Sequence, residues 1–156
     1  LHTNDAAGAV TRLLDMGVEP FLVSSSLECL VAQRLVRLIC AKCKVLLKSE
    51  KKKEIFRQIK DIEFDPGEIE LYEGKGCEDC RFTGYRGRSG IYEIFNLTPA
   101  IRELILSRAS SQEIKKKAIS QGYRTLRQKG WQKVLQGLTT LTEVMRVTAQ
   151  EELPEE

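Results

Sequence analysis

The sequence predicts a mixed α/β chain, an α+β arrangement built around a central cysteine-bearing segment. Three observations carry that expectation. Apolar residues recur at helical spacing behind recognisable caps in the first and last thirds. Leu35-Val36-Arg37-Leu38-Ile39 and Ile91 to Phe95 read as short strands. Between them lie two C-x-x-C pairs, Cys40/Cys43 and Cys77/Cys80, the second crowded by glycines.

In the first third, Thr3, Asn4 or Asp5 can cap a helix carrying Ala7, Val10, Leu13 and Leu14, with Gly17 suited to its C′ position. Pro20 fits the first turn of a second helix, expected from Phe21 to about Gln33, and Glu19 suits its positive end. Cys29 would lie on that helix among Leu27, Leu30 and Val31, as a buried apolar thiol. The strand Leu35–Ile39 then leads into Cys40. Two helices and one strand cannot complete a sheet, so residues 1–39 read as the closing part of an α/β domain. The chain opens on Leu1-His2-Thr3-Asn4 without an initiator Met, which reads as the start of a fragment.

Residues 40–95 form the second expected segment. Glu50 to Ile62 reads as a charged helix with a narrow stripe of Ile55, Phe56, Ile59 and Ile62, and Lys51-Lys52-Lys53 at its start as a solvated face. Pro66-Gly67 breaks it, and Ile69 to Tyr72 reads as a strand. Residues 96–149 read as helical. Thr98-Pro99 is an N-cap followed by proline, and Ser110-x-x-Glu113 and Thr140-x-x-Glu143 both fit the capping box. Thr125 to Gln136 carries the large anchor Trp131, and Gly122, Gly130 and Gly137 are spaced as stops or close-contact points. Residues 150–156 form an acidic tail expected to be disordered.

Bulk properties exclude some function classes. No apolar run approaches the roughly 18–20 residues of a membrane span. The longest, Phe21 to Val31, contains three serines, Glu28 and Cys29, so direct membrane insertion is not expected. The net charge of +3 is spread evenly: 3 basic and 4 acidic residues in 1–39, 12 and 10 in 40–90, and 10 and 8 in 91–156. No third is basic enough for a nucleic-acid footprint.

The cysteines carry the chemistry. Five is an odd count that disfavours a disulfide framework, and four of them fall in two C-x-x-C pairs. A tight C-x-x-C turn aims two sulfurs at one ion, and two such knuckles close a tetrahedron of the kind zinc prefers. Cys40, Cys43, Cys77 and Cys80 are therefore the candidate metal ligands, with zinc the expected ion and an iron centre the alternative. The 33 residues between Cys43 and Cys77 exceed the roughly 15–20 of a compact ribbon. Loop closure costs only logarithmically more with length. Lys42, Lys44, Lys75 and Arg81 flank the sulfurs and would balance a tetrathiolate site. Four protein ligands leave no open position, so the expected role is structural. A thioredoxin-type redox motif would explain one pair and not two.

His2 is the only histidine, so no complete nucleophile–base system exists here. Read alone, it fits a polar junction before a helix or a group facing an anion at that helix's start. No G-x-x-x-x-G-K-[ST] phosphate loop occurs, and Gly74-Lys75-Gly76 is not one.

Several segments together resemble the type II secretion and type IV pilus assembly ATPases. Leu1-His2-Thr3-Asn4-Asp5-Ala6 is similar to that family's histidine box, and Thr11 to Leu22 to the segment after it. Ala32-Gln33-Arg34-Leu35-Val36-Arg37 leads into the first cysteine pair as in the family. Gly76-Cys77-x-x-Cys80 with Thr83-Gly84-Tyr85-x-Gly87-Arg88-x-Gly90-Ile91-Tyr92-Glu93 resembles the second knuckle. Gly137 to Thr148 resembles the closing helix, so the likeness spans residue 1 to about 149. It implies a RecA-like P-loop motor that forms a homo-hexamer, uses ATP with Mg2+, and moves the cytoplasmic parts of inner-membrane secretion or pilus platform proteins. Residues 1–39 would then be the C-terminal remnant of the RecA-like domain, 40–95 a zinc-binding α+β subdomain, and 96–149 a helical subdomain. His2 would act as an accessory catalytic residue near the terminal phosphate, and the four cysteines would hold Zn2+. The resemblance implies a cytoplasmic protein, peripheral to the inner membrane through its partners. Both Walker motifs are absent from the sequence, so no ATP hydrolysis is expected from this chain alone. A stand-alone zinc-binding module for protein or nucleic acid is the alternative reading.

Overall fold

A computed structural model of the chain describes Thr3, residues 5–57 and residues 69–148. The element order is α1 (Ala6–Asp15), α2 (Pro20–Ser26), β1 (Cys29–Ile39), β2 (Lys44–Leu46), α3 (Ser49–Arg57), β3 (Tyr72–Gly74), β4 (Tyr85–Asn96), α4 (Pro99–Leu106), α5 (Ser111–Ser120), α6 (Leu126–Leu135) and α7 (Leu141–Val147). A 3-10 turn at Glu78–Cys80 precedes β4. The mixed α+β class is as the sequence indicates. β1 pairs with β4, and β2 with β3. The second pair is antiparallel in the register Lys44↔Gly74, Val45↔Glu73, Leu46↔Tyr72.

The chain divides into two compact units. One is assembled from Leu1–Gln33 and Tyr92–Leu126, the other from Arg34–Ile91 and Arg127–Glu156. β1 and β4 each contribute to both.

In the first unit, α1 packs on α2 and α5, and α4 on α2 and α5. Asp5 is the N-cap of α1, its Oδ1 accepting from the Gly8 N–H at 2.8 Å. Gly17 follows the helix at φ +85°, in the left-handed region where glycine avoids the Cβ clash. Pro20 begins α2, Thr98 caps α4 ahead of Pro99, and Ser110 with Glu113 forms a complete capping box on α5. The core contains Val10, Phe95, Ile101, Ile105 and Ile114, all fully buried, with the Phe95 and Tyr123 rings edge to face at 5.4 Å. Each such side chain contributes roughly 1.5–3 kcal/mol by burial.

Two expectations for this stretch are corrected. The second helix ends at Ser26 and does not reach Gln33, and β1 begins at Cys29. Leu27, Leu30 and Val31 mimic helical spacing, but burial alternates from residue 29 to 37, with odd-numbered residues exposed. Cys29 is consequently an exposed thiol and not a buried one.

Glu93 is the buried anchor of this unit, 1% exposed. Its Oε1 accepts the Ala6 N–H at 2.6 Å and its Oε2 the Leu126 N–H at 2.8 Å, so one carboxylate satisfies the first amides of α1 and α6. Glu93→Ala leaves two buried donors unpaired and is expected to cost about 2–6 kcal/mol, at roughly 1–3 per donor. Glu93→Gln, which keeps one acceptor, costs less. Urea midpoints of the three proteins check the ranking; equal midpoints would contradict it.

In the second unit, α6 and α7 meet where Gly130 faces Val144. A Cβ at Gly130 would lie 2.4 Å from Val144 Cγ1. The Val144 side chain is fully buried and stiff at χ1, so it cannot swing aside. Gly130→Ala would gain about 1 kcal/mol of helix propensity and lose roughly 1–3 to overpacking. Net destabilisation is therefore expected, read as a lower melting temperature, and an unchanged or higher one would show that the helices can separate. Trp131 is buried, as expected of an anchor.

The second unit also holds an ion-pair network. The Glu143 carboxylate, wholly buried, accepts from Arg37 Nε (3.0 Å) and a terminal nitrogen (2.7 Å), and from Arg146 Nε (2.9 Å) and a terminal nitrogen (2.7 Å). It also accepts the Arg37 backbone N–H at 3.1 Å. The Arg37 guanidinium lies 4.2 Å from the Tyr85 ring centre, and the Tyr85 hydroxyl shares a 2.8 Å hydrogen bond with Thr140 Oγ1. The capping box expected at Thr140–Glu143 is therefore only half present. Thr140 Oγ1 accepts the Glu143 N–H, while the two arginines take the carboxylate.

The expected strand at Ile69–Tyr72 lies at Tyr72–Gly74, where it can pair with β2. The helix expected to Ile62 is described through Arg57. Ile59, Ile62, Pro66-Gly67 and the acidic tail lie outside the described residues, as does His2.

Candidate metal centre

Cys40 follows the last residue of β1, and its N–H is held by the Gly84 carbonyl at 2.9 Å. The Cys43 N–H donates to the Cys40 carbonyl at 3.2 Å, and the Cys80 N–H to the Cys77 carbonyl at 3.2 Å, closing both C-x-x-C turns. The stretches entering and leaving the second knuckle approach each other through glycine. A Cβ on Gly74 would stand 2.0 Å from the Gly84 carbonyl oxygen, and one on Gly84, at φ +76°, 2.4 Å from the Gly74 oxygen. Backbone meets backbone there, and no side chain could yield.

This folding brings all four predicted ligands together. Cys40 and Cys77 sulfurs are 3.9 Å apart, Cys43 and Cys80 3.8 Å, Cys77 and Cys80 3.8 Å, and all four lie within 4.8 Å of one another. A zinc–sulfur bond of about 2.3 Å sets a tetrahedral sulfur–sulfur edge of about 3.8 Å. The cysteines are unbridged, and the spacing is far beyond the roughly 2.0 Å of a disulfide. Among the described residues this is the one cluster of metal-ligating side chains that could hold an ion. The donor set, four thiols with two of them buried, suits a soft, closed tetrahedral site.

Backbone N–H groups, rather than lysines, face the sulfurs. Gly76 N–H donates to Cys43 Sγ at 3.3 Å, Cys77 N–H to Cys80 Sγ at 3.2 Å, and Gly84 N–H to Cys80 Sγ at 3.3 Å. Burial raises the Cys80 thiol, but the Cys77 and Gly84 N–H groups outweigh it and bring the thiol down to about 6. Burial pushes Cys43, with its single N–H donor, up to about 11. Two of the four flanking cations have other partners: Lys42 pairs with Asp79 at 3.0 Å, and Lys44 lies 4.2 Å from the Tyr72 ring centre. Asp79 also pairs with Arg86. The sequence signals the ligands and the glycines. It does not signal the Glu143 and Glu93 anchors, whose most distant partners lie 106 and 87 residues away.

The family of type II/IV secretion system proteins matches residues 1–146, and this chain belongs to it. The chain is 43% identical over 152 residues to the type IV pilus assembly ATPase PilB of Myxococcus xanthus, covering 96% of this chain and 26% of that protein. It is 47% identical over 148 residues to the PilB of Thermus thermophilus, covering 95% and 16% respectively. Its likeness to the type II secretion system ATPase E of Vibrio cholerae is also 47% over 148 residues, covering 95% and 28%. The chain thus spans between 16% and 28% of the length of these curated relatives.

Proposed function

We propose that these residues are the metal-braced, partner-facing portion of a hexameric ATPase that powers type II protein secretion or type IV pilus assembly. In the whole protein, ATP hydrolysis with Mg2+ would be coupled to movement of an inner-membrane platform through that platform's cytoplasmic parts. Residues 1–39 would close a RecA-like domain, with His2 near the terminal phosphate, and the protein would be cytoplasmic and peripheral to the membrane. The observation that carries the reading is four sulfurs at tetrahedral zinc spacing in a chain that the secretion family matches over nearly all its length. Among the described residues no helix is long and apolar enough to cross a membrane, which suits attachment through partners.

Zinc, when bound by Cys40, Cys43, Cys77 and Cys80, supplies a closed structural shell without a position for substrate water. The chain's own residues hold the sulfurs, and catalysis of phosphoryl transfer falls to motifs this sequence does not contain. The test has two arms. Cys77→Ser in the complete ATPase is expected to abolish secretion or pilus assembly together with zinc retention. The purified 156-residue chain is expected to release no phosphate from Mg-ATP. Full transport by the Cys77→Ser protein, or a measurable hydrolysis rate from the isolated chain, would overturn the assignment.

A further inference from the structure

The second knuckle carries a feature that metal binding does not explain. Arg81 and Phe82, directly after Cys80, both lie in the left-handed region, at φ +50° and +59°. The turn itself is needed, because it lets Phe82 N–H reach the Cys77 carbonyl (2.8 Å) and Gly84 N–H reach Cys80 Sγ (3.3 Å). The residue types are not needed. Glycine or asparagine takes this conformation with less strain than a bulky side chain. Phe82 is nonetheless 74% exposed, the most exposed large apolar side chain among the described residues. A backbone strained at two bulky residues is costly to folding, and such positions cluster where they serve a function.

The surroundings indicate what would cover it. The Gly76 backbone lies against Phe82, where a Cβ would stand 2.8 Å from the Phe82 carbonyl oxygen, and Lys75 directly precedes it in the chain. Arg81 and Lys75 are exposed, and among the described residues neither has an ion-pair partner. Asp79 lies on the same turn, engaged by Lys42 and Arg86. A polyphosphate chain would meet that carboxylate and exposed Glu78, whereas a protein surface can avoid both. We propose that Phe82 and Arg81 form a docking point for a protein partner that offers an apolar socket to the ring and carboxylates to Arg81 and Lys75. The proposal rests on the partner-facing reading above, and its test uses neither ATP hydrolysis nor transport, so the two can fail separately.

The test is a titration of the zinc-loaded, isotope-labelled chain, followed by NMR. The probe is a synthetic peptide with two leucines between paired glutamates; a glutamine-for-glutamate version and a dT10 oligonucleotide are controls. Shifts centred on residues 75–86 with the acidic peptide are expected, at least 10-fold weaker with the glutamine version and with the Arg81→Glu and Phe82→Gly chains. Phe82→Gly should also leave the melting temperature unchanged or raise it, with zinc retained, because glycine relieves the strain of the left-handed backbone. No shifts in this segment, or tighter binding of dT10 than of the peptide, would overturn the proposal. So would a fall of more than about 4 °C on Phe82→Gly, roughly 1 kcal/mol for a domain of this size, since it would make the ring a support of the fold.

Discussion

Replacing Cys80 with serine should unfold the second unit and release its metal, the largest effect expected of any single substitution in this chain. Cys80 is buried, and its sulfur stands 3.8 Å from both Cys43 and Cys77 while accepting two backbone N–H groups. Serine removes one ligand of four and leaves three thiols converging on an incomplete shell. Structural zinc sites contribute on the order of 10–16 kcal/mol near neutral pH, so losing the site removes an amount comparable to the roughly 5–15 kcal/mol of a whole domain's net stability. Chelation of the wild-type protein should reproduce the effect. The measurement is near-UV circular dichroism with zinc analysis before and after gel filtration. A Cys80→Ser protein that kept wild-type melting behaviour would show that the cysteines do not brace the fold.

The second large effect concerns Glu143. Burial alone would raise its carboxyl, but hydrogen bonds from Arg146 and Arg37 outweigh that and hold it at about 2. Glu143→Ala removes the shared partner of two arginines and the acceptor of a backbone amide. Breaking a buried pair costs about 3–5 kcal/mol. Here Arg37 and Arg146 are 45% and 58% exposed and can turn to water, so about 2–3 kcal/mol is expected. Acid should act in the same direction. Because the folded value lies below the ordinary carboxylate value of about 4.3, the contribution is fully present above that pH. It is lost as pH falls from there toward about 2, and amounts to roughly 3 kcal/mol over the window. Metal release in acid adds its own slope, so the informative quantity is the stability difference between wild type and Glu143→Gln at each pH. That difference should shrink below pH 4.5; a constant difference down to pH 2 would remove Glu143 from the account.

What could be read from the sequence was local. Asp5, Pro20, Thr98 and the Ser110–Glu113 box act within three residues of where they stand, so composition and spacing reveal them. The four cysteines are legible because a tight C-x-x-C turn is a local signature of a thiolate-held metal site. The start of β1 reads as helix for a physical reason: a strand that exposes Val31 and Leu35 while burying Val36 and Ile39 has apolar residues on both faces. Short runs of that kind fit a helix equally well. The anchoring roles of Glu93 and Glu143 were not legible, because neither residue type nor spacing announces a partner 87 or 106 residues away. The assembly of each compact unit from two separated stretches has no local signature for the same reason.

Native mass spectrometry of the purified chain tests the central claim most directly. One zinc ion per chain is expected, retained at neutral pH and lost when any one of Cys40, Cys43, Cys77 and Cys80 is changed to serine. A folded wild-type chain at its metal-free mass, or one carrying cysteine pairs as disulfides, would contradict it.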